Sequence, residues 1–239
     1  MAVTSLQDAK TLICNPVIRY RYLQWLVTRT LHGRPPFVSL PHGRRVLPAS
    51  RFNDFHAIAT QHPEAPEFCL VDALLALTGQ GAFFDVGANV GVMSVVASST
   101  GRASRIFAFE PSHRYCSAWH TNMALNGVEN ATLIQAAVGD RCDRIDFRVD
   151  PALPLHGKID VGVIYPTKQV QQVQMFTLDA ICEISAIDRI ALLKIDVEGA
   201  EPLVIRGARD LLKATRIKSI LFEFIVEFIE DLDEDPHDL

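Results

Sequence analysis

Five short, almost continuously apolar runs, at 82–86, 106–110, 131–138, 191–197 and 219–224, alternate with mostly helical stretches from residue 81 onward. Runs of this kind are the mark of strands covered on both faces, and parallel strands need a crossover, usually a helix, between them. Such crossovers are right-handed, so the chain is expected to fold as α/β: a doubly wound, Rossmann-like sheet with helices on both faces. A chain of 239 residues suffices for one such core and an appendage. We expect residues 79–239 to form the main domain and residues 1–78 an N-terminal cap.

The cap reads as helix and hairpin. Residues 16–31 carry Ile18, Tyr22, Leu26 and Val27 on one side with Arg19, Arg21 and Arg29 around them, an amphipathic helix. Strand-like residues 37–40 and 45–47 flank the turn Pro41-His42-Gly43-Arg44, and an apolar helix from Phe68 stops near Gly79. Inside the main domain, 144–149 and 170–178 alternate like antiparallel strands around a Pro-, Gly- and His-containing stretch. Loops of that length inside a compact domain are usually functional or mobile.

The net charge of −5 argues against a nucleic-acid partner, which requires a clustered basic surface. Five dispersed cysteines, Cys14, Cys69, Cys116, Cys142 and Cys182, fit no zinc spacing and read as reduced thiols. No window is apolar enough to span a bilayer and residues 1–10 lack a leader pattern, so a cytoplasmic protein without integral membrane contact is expected. Oligomeric state is not readable from these features.

The chemistry gathers at strand ends. Asp85-Val86-Gly87-Ala88-Asn89-Val90-Gly91 puts an acid at the tip of an apolar strand and small residues before a helix at 92–97, which makes a cofactor loop. A dinucleotide fingerprint needs glycines at 87, 89 and 92, but Asn89 and Val92 stand there, and no P-loop lysine follows. Glu110 ends the second run, 25 residues after Asp85, where an acid can accept hydrogen bonds from both ribose hydroxyls. A ribose-containing cofactor without a pyrophosphate is implied. Asp196 and Glu223 end the fourth and fifth runs, and in open α/β sheets ligands sit outside the carboxyl ends of the strands. Period-two alternation places Lys194, Asp196 and Glu198 on one face.

These blocks, with Ala108-Phe109-Glu110-Pro111, Asn126-Gly127, Ala136-Ala137-Val138-Gly139-Asp140 and Leu193-Lys194-Ile195-Asp196-Val197-Glu198-Gly199-Ala200-Glu201, resemble the FkbM-type S-adenosylmethionine-dependent methyltransferases over roughly 64–224. The resemblance implies a class I methyltransferase fold in which Asp85, Gly87, Asn89 and Gly91 cradle S-adenosyl-L-methionine and Glu110 holds its ribose. Asn126 and 135–137, including Ala137, would flank the adenine. It further implies methylation of a hydroxyl on a sugar, glycolipid or polyketide-like small molecule. Methyl transfer needs alignment and a nearby base, for which Asp196 is the first candidate and Glu198 the second, with Lys194 orienting or balancing charge. No metal is expected.

Plainer readings stand beside these. Asp85 could simply cap the following helix, and Glu201 reads as a macrodipole-stabilised acid at a helix start. Lys194 either pairs with Asp196 or Glu223, as a buried ammonium must, or orients substrate. His156 is a weak base candidate, and the paired phenylalanines at 83, 84, 107, 109, 222 and 224 read as sheet core. Class I methyltransferases normally add two more strands, for which 225–239 is too short, so an S-adenosylmethionine-binding scaffold without turnover is the alternative. A nicotinamide oxidoreductase is a third class sharing the fold.

Overall fold

The computed structural model describes residues 37–47, 66–149, 157–159 and 169–222. The expected helix at 16–31, His156, Glu223 and the stretch from 223 onward lie outside them. Strands β1 (Val38–Ser39) and β2 (Arg45–Val46) form the expected hairpin around a turn at Pro41–Gly43. Helix α1 (Pro66–Thr78) leads into β3 (Gly81–Val86), followed by α2 (Val92–Ser99), β4 (Ala103–Phe109), α3 (His113–Leu125) and β5 (Ala131–Ile134). After the insert come α4 (Leu178–Ile184), β10 (Ile190–Ile195), α5 (Glu201–Arg206), α6 (Arg209–Lys213) and β11 (Ile220–Phe222).

The main sheet runs β11-β10-β3-β4-β5, parallel throughout. Strand order reverses between β3 and β10, and register holds their tips level: Ile195 lies beside Val86, and Val86 beside Phe109. This is the switch point at which open α/β sheets bind ligands.

Alternation within the strands builds two cores. Phe83, Ile106, Ala108 and Leu192 face α1, α2 and α3, packing with Val71, Leu75, Val95 and Trp119. Leu40 and Val46 of the hairpin belong to this same cluster, so these parts of the expected cap are built into the core of the sheet. Phe84, Val86, Phe107, Phe109, Leu193 and Ile195 face the other way, against Leu178, Ile181, Val204 and Leu211. Phe84 packs on Phe107 and Phe109 at centroid distances of 5.2 and 5.5 Å. Phe222 departs from the core reading: on the edge strand β11 it is 45% exposed.

One expected strand divides. The run at 131–138 is β5 and, after a turn in which Ala136 N donates to Ile134 O, β6 (Ala137–Val138) in a second sheet. That sheet, β6-β9-β7-β8, contains β7 (Asp143–Val149), β8 (Gly157–Ile159) and β9 (Gln169–Phe176). Strands β7 and β9 pair antiparallel over seven residues, as their alternation predicts. Apolar continuity cannot reveal a strand that changes sheets, because the run stays largely apolar across the break, although only β6 is buried and β5 is partly exposed.

Candidate active site

A half-open cleft with about 730 Å³ of empty space, open solvent at its mouth included, lies at the switch point. The tips of β3, β4 and β10 form its floor through Gly87, Asn89, Glu110, Asp196 and Glu198. Ala136, Ala137 and Val138 make one wall and Phe147 of β7 another. The insert thus supplies part of the site, and Phe147 and Tyr115 are lining residues that the motif reading did not single out. Their signal in the sequence is only an apolar position in an alternating strand and in a helix.

Gly87 is required where it stands. Its φ is +75°, and a Cβ there would lie 1.8 Å from the Asp196 carbonyl oxygen. The loop can therefore lean on the end of β10 only without a side chain. Gly87 N and Ala88 N both donate to Phe109 O, which ties the loop to β4 as well. Gly91 is placed differently from the expectation: it begins α2 with φ +90°, packed on Trp119 and Met123, and does not line the cleft.

Glu110 is buried, and its carboxylate is held from two sides. Oε2 accepts from Asn89 N at 2.9 Å and Oε1 from Ser112 N at 2.8 Å. Each oxygen keeps a further acceptor position. Burial pushes its pKa up to about 7, against the opposing pull of the two backbone N–H groups and of the Lys194 charge. Beneath it the Cys116 thiol donates to Glu110 O, and burial raises that thiol to about 12, so it remains protonated.

Asp85 is wholly buried below the loop and does not reach the cleft. Its Oδ2 accepts from Ser94 Oγ at 2.7 Å, and Trp119 Nε1 donates to that hydroxyl at 3.2 Å. Asp85 Oδ1 has no hydrogen-bond partner and faces Lys194 Nζ at 3.5 Å. On its other side Lys194 Nζ meets Asp196 Oδ2 at 3.2 Å, and it donates to Gly87 O at 3.0 Å. Burial alone would pull the Lys194 ammonium down, but Asp196 and Asp85 outweigh it and hold the group above the ordinary lysine value. Of the two readings of Lys194, the structure supports pairing, with Asp85 as an additional partner.

Asp196 and Glu198 both line the cleft, and Asp196 is partly open to it with 42% of its side chain exposed. Glu198 has a left-handed backbone, φ 57°, ahead of Gly199, at φ 105°. Glu201 is structural, as expected: its Oε1 accepts from Val197 N at 3.0 Å, folding the tip of β10 back toward the start of α5. Asn126 is not brought to the cleft. Its side-chain amide is engaged by the backbone of Arg45 in the hairpin. Among the described residues no three His, Cys, Asp or Glu side chains gather so as to hold a metal ion, and no helix is long and apolar enough to cross a membrane.

The family description "Methyltransferase FkbM domain" matches residues 85–238. Among sequence relatives, "Methyltransferase 1" of Beauveria bassiana is 28% identical over 143 residues, which cover 53% of this chain and 57% of that protein. The "2-O-methyltransferase NoeI" of Sinorhizobium fredii is 27% identical over 150 residues, 55% of this chain and 59% of that protein. The chain therefore matches little more than half the length of either. A solved methyltransferase FkbM from Methylobacillus flagellatus superposes with a TM-score of 0.43 and 16% identity over 72% of this chain and 44% of that one.

Proposed function

The chain belongs to the FkbM methyltransferase family, and on that premise we propose that it is an S-adenosylmethionine-dependent methyltransferase acting on a hydroxyl of a sugar, glycolipid or polyketide-like small molecule. One observation carries this reading: Glu110, at the tip of the second strand of the main domain, is locked by two backbone N–H groups and keeps acceptor positions beside the cleft. A relative named as a 2-O-methyltransferase supports a hydroxyl acceptor.

The residues present fit the cofactor. Its two ribose hydroxyls match the spare positions of the Glu110 carboxylate, and the apolar wall of Ala137, Val138 and Phe147 suits a base. The absence of a glycine-rich pyrophosphate cradle suits a nucleoside without one. When bound, the cofactor supplies a methyl group already activated on a sulfonium.

The remaining work is alignment, exclusion of water and removal of a proton. Asp196 is the carboxylate placed to accept the acceptor's hydroxyl proton, because it lines the cleft and is held by Lys194. Glu198 lines the same floor and is the second candidate. Lys194 and Asp85 act from beneath as positioning residues, since neither lines the cleft.

Calorimetric titration with S-adenosylhomocysteine tests the cofactor assignment, and absence of binding at millimolar concentration would end it. Transfer of labelled methyl to a panel of sugars and glycolipids tests the rest; binding without transfer would favour the scaffold alternative. The pH dependence offers a sharper check. Hydroxyl donors favour the ionised Glu110, whose pKa is raised to about 7. Affinity should therefore rise with pH, about tenfold between pH 6 and pH 8, with proton release on binding. A flat profile across that window would show that this carboxylate does not hold the ligand.

A further inference from the structure

Asn122 lies on α3 and Asn126, four residues on, caps the C-terminus of that helix, about 6 Å further along its axis. Alternate residues of a strand are spaced about 6.6 Å. The hydrogen bonds exploit that match. Asn126 Oδ1 accepts from Arg45 N at 3.0 Å and its Nδ2 donates to Arg45 O at 2.6 Å. Asn122 Oδ1 accepts from Leu47 N at 2.6 Å and its Nδ2 donates to Leu47 O at 3.0 Å. Arg44, between β1 and β2, turns its carbonyl the other way, to Leu40 N. Two side-chain amides on a helix thus take the place of a neighbouring strand along the outer edge of the hairpin.

The amide of Asn122 does more. It is wholly buried, and its second Nδ2 hydrogen goes to Val90 O at 2.8 Å, between Asn89 and Gly91 of the candidate cofactor loop. The donor group is then saturated. Leu47 of the hairpin and the carbonyl of Val90 in the loop are thereby joined through one amide. Asn126 Nδ2 also donates to the backbone carbonyl of Asn122 at 2.8 Å, which ties the Asn126 amide to the helix turn that carries Asn122.

We propose that Asn122 is a positioning residue for the cofactor loop, and that docking of the hairpin at 37–47 on the Asn122–Asn126 pair sets the affinity of that loop for its nucleoside. The ligand named here rests on the cofactor reading above, whereas the coupling of hairpin to loop does not. The N-terminal hairpin becomes a control element for the methyl-donor site rather than a mere cover for the core.

Asn126→Ala is the discriminating variant, because Asn126 holds the hairpin without touching the loop. Amide hydrogen exchange in the ligand-free protein should show Arg45, Asn89 and Gly91 exchanging about fivefold faster, with Phe107 in the central sheet unchanged. The dissociation constant for S-adenosylhomocysteine should rise by about the same factor, with turnover at saturating cofactor preserved. Asn122→Asp, which sets a carboxylate oxygen against two carbonyls, should weaken affinity further. Faster exchange at Arg45 with Asn89, Gly91 and affinity unchanged would overturn the proposal, and so would unaltered exchange at Arg45. Should the wild type bind no S-adenosylhomocysteine, the cofactor reading fails, while the ligand-free exchange still decides the coupling.

Discussion

Gly87→Ala should be among the most damaging single-methyl changes available to this chain. A non-glycine residue at φ +75° is strained by about 1–2 kcal/mol, and the added Cβ would sit 1.8 Å from the Asp196 carbonyl oxygen, which cannot swing aside as a flexible side chain would. Overpacking of that kind costs about 1–3 kcal/mol more. The sum, about 3 kcal/mol, corresponds to a fall in Tm of roughly 6–12 °C for a chain of this size. Function should suffer more than stability, because the clash drives the loop away from the strand that carries Asp196. Gly127→Ala is the control: φ is +63° there, with nothing within 4 Å of the added methyl, so only the strain remains. Equal losses in thermal unfolding for the two variants would refute the close-approach argument.

Lys194→Met is expected to be at least as costly, for an electrostatic reason. Asp85 is wholly buried, and Lys194 supplies its counter-charge while donating to Gly87 O. Removing one member of a buried ion pair typically costs about 3–5 kcal/mol, because the other charge is left uncompensated. Asp85→Asn in the same chain should restore part of the loss, and denaturant unfolding of the two single variants and the double variant measures the coupling. If Lys194→Met unfolds at the same denaturant concentration as the wild type, the ion pair contributes nothing. Because the Lys194 pKa is raised, its contribution is complete below the ordinary lysine pKa and is lost only as pH climbs through the higher folded value.

The local chemistry was legible for a simple reason. A strand buried on both faces must be apolar along its length, and a polar residue is tolerated only at its end or with a partner. Asp85, Glu110, Lys194 and Asp196 therefore stood out against Phe83, Phe84, Phe107, Phe109, Leu193 and Ile195. The pairing of Lys194 was open in the sequence between Asp196 and Glu223, and the Asp85 partner was missed. Parallel pairing places Lys194 beside Asp85 across strands 109 residues apart, and no local pattern encodes a register of that range.

Asn126 shows the same limit from the other side. The Asn126-Gly127 block belongs to the family resemblance, which implies a place beside the adenine, but the surroundings that give Asn126 work are those of Arg45, some 80 residues earlier. Asn122 belongs to no motif, yet a fully buried amide with three backbone partners is a strong constraint once the fold exists. Phe147 reached the cleft only because β7 pairs with β9 and swings the insert over the switch point.

What the sequence determined alone was the class of fold, the glycine-bearing loop and the acids at the strand tips, because each is written in periods of two to four residues and in backbone rules that hold without neighbours. Which acid faces the cleft, which is buried as a counter-ion and which asparagine clasps the hairpin were decided only by tertiary structure. Those roles depend on burial and on partners brought within about 3 Å from distant parts of the chain, and desolvation is a property of the assembled core.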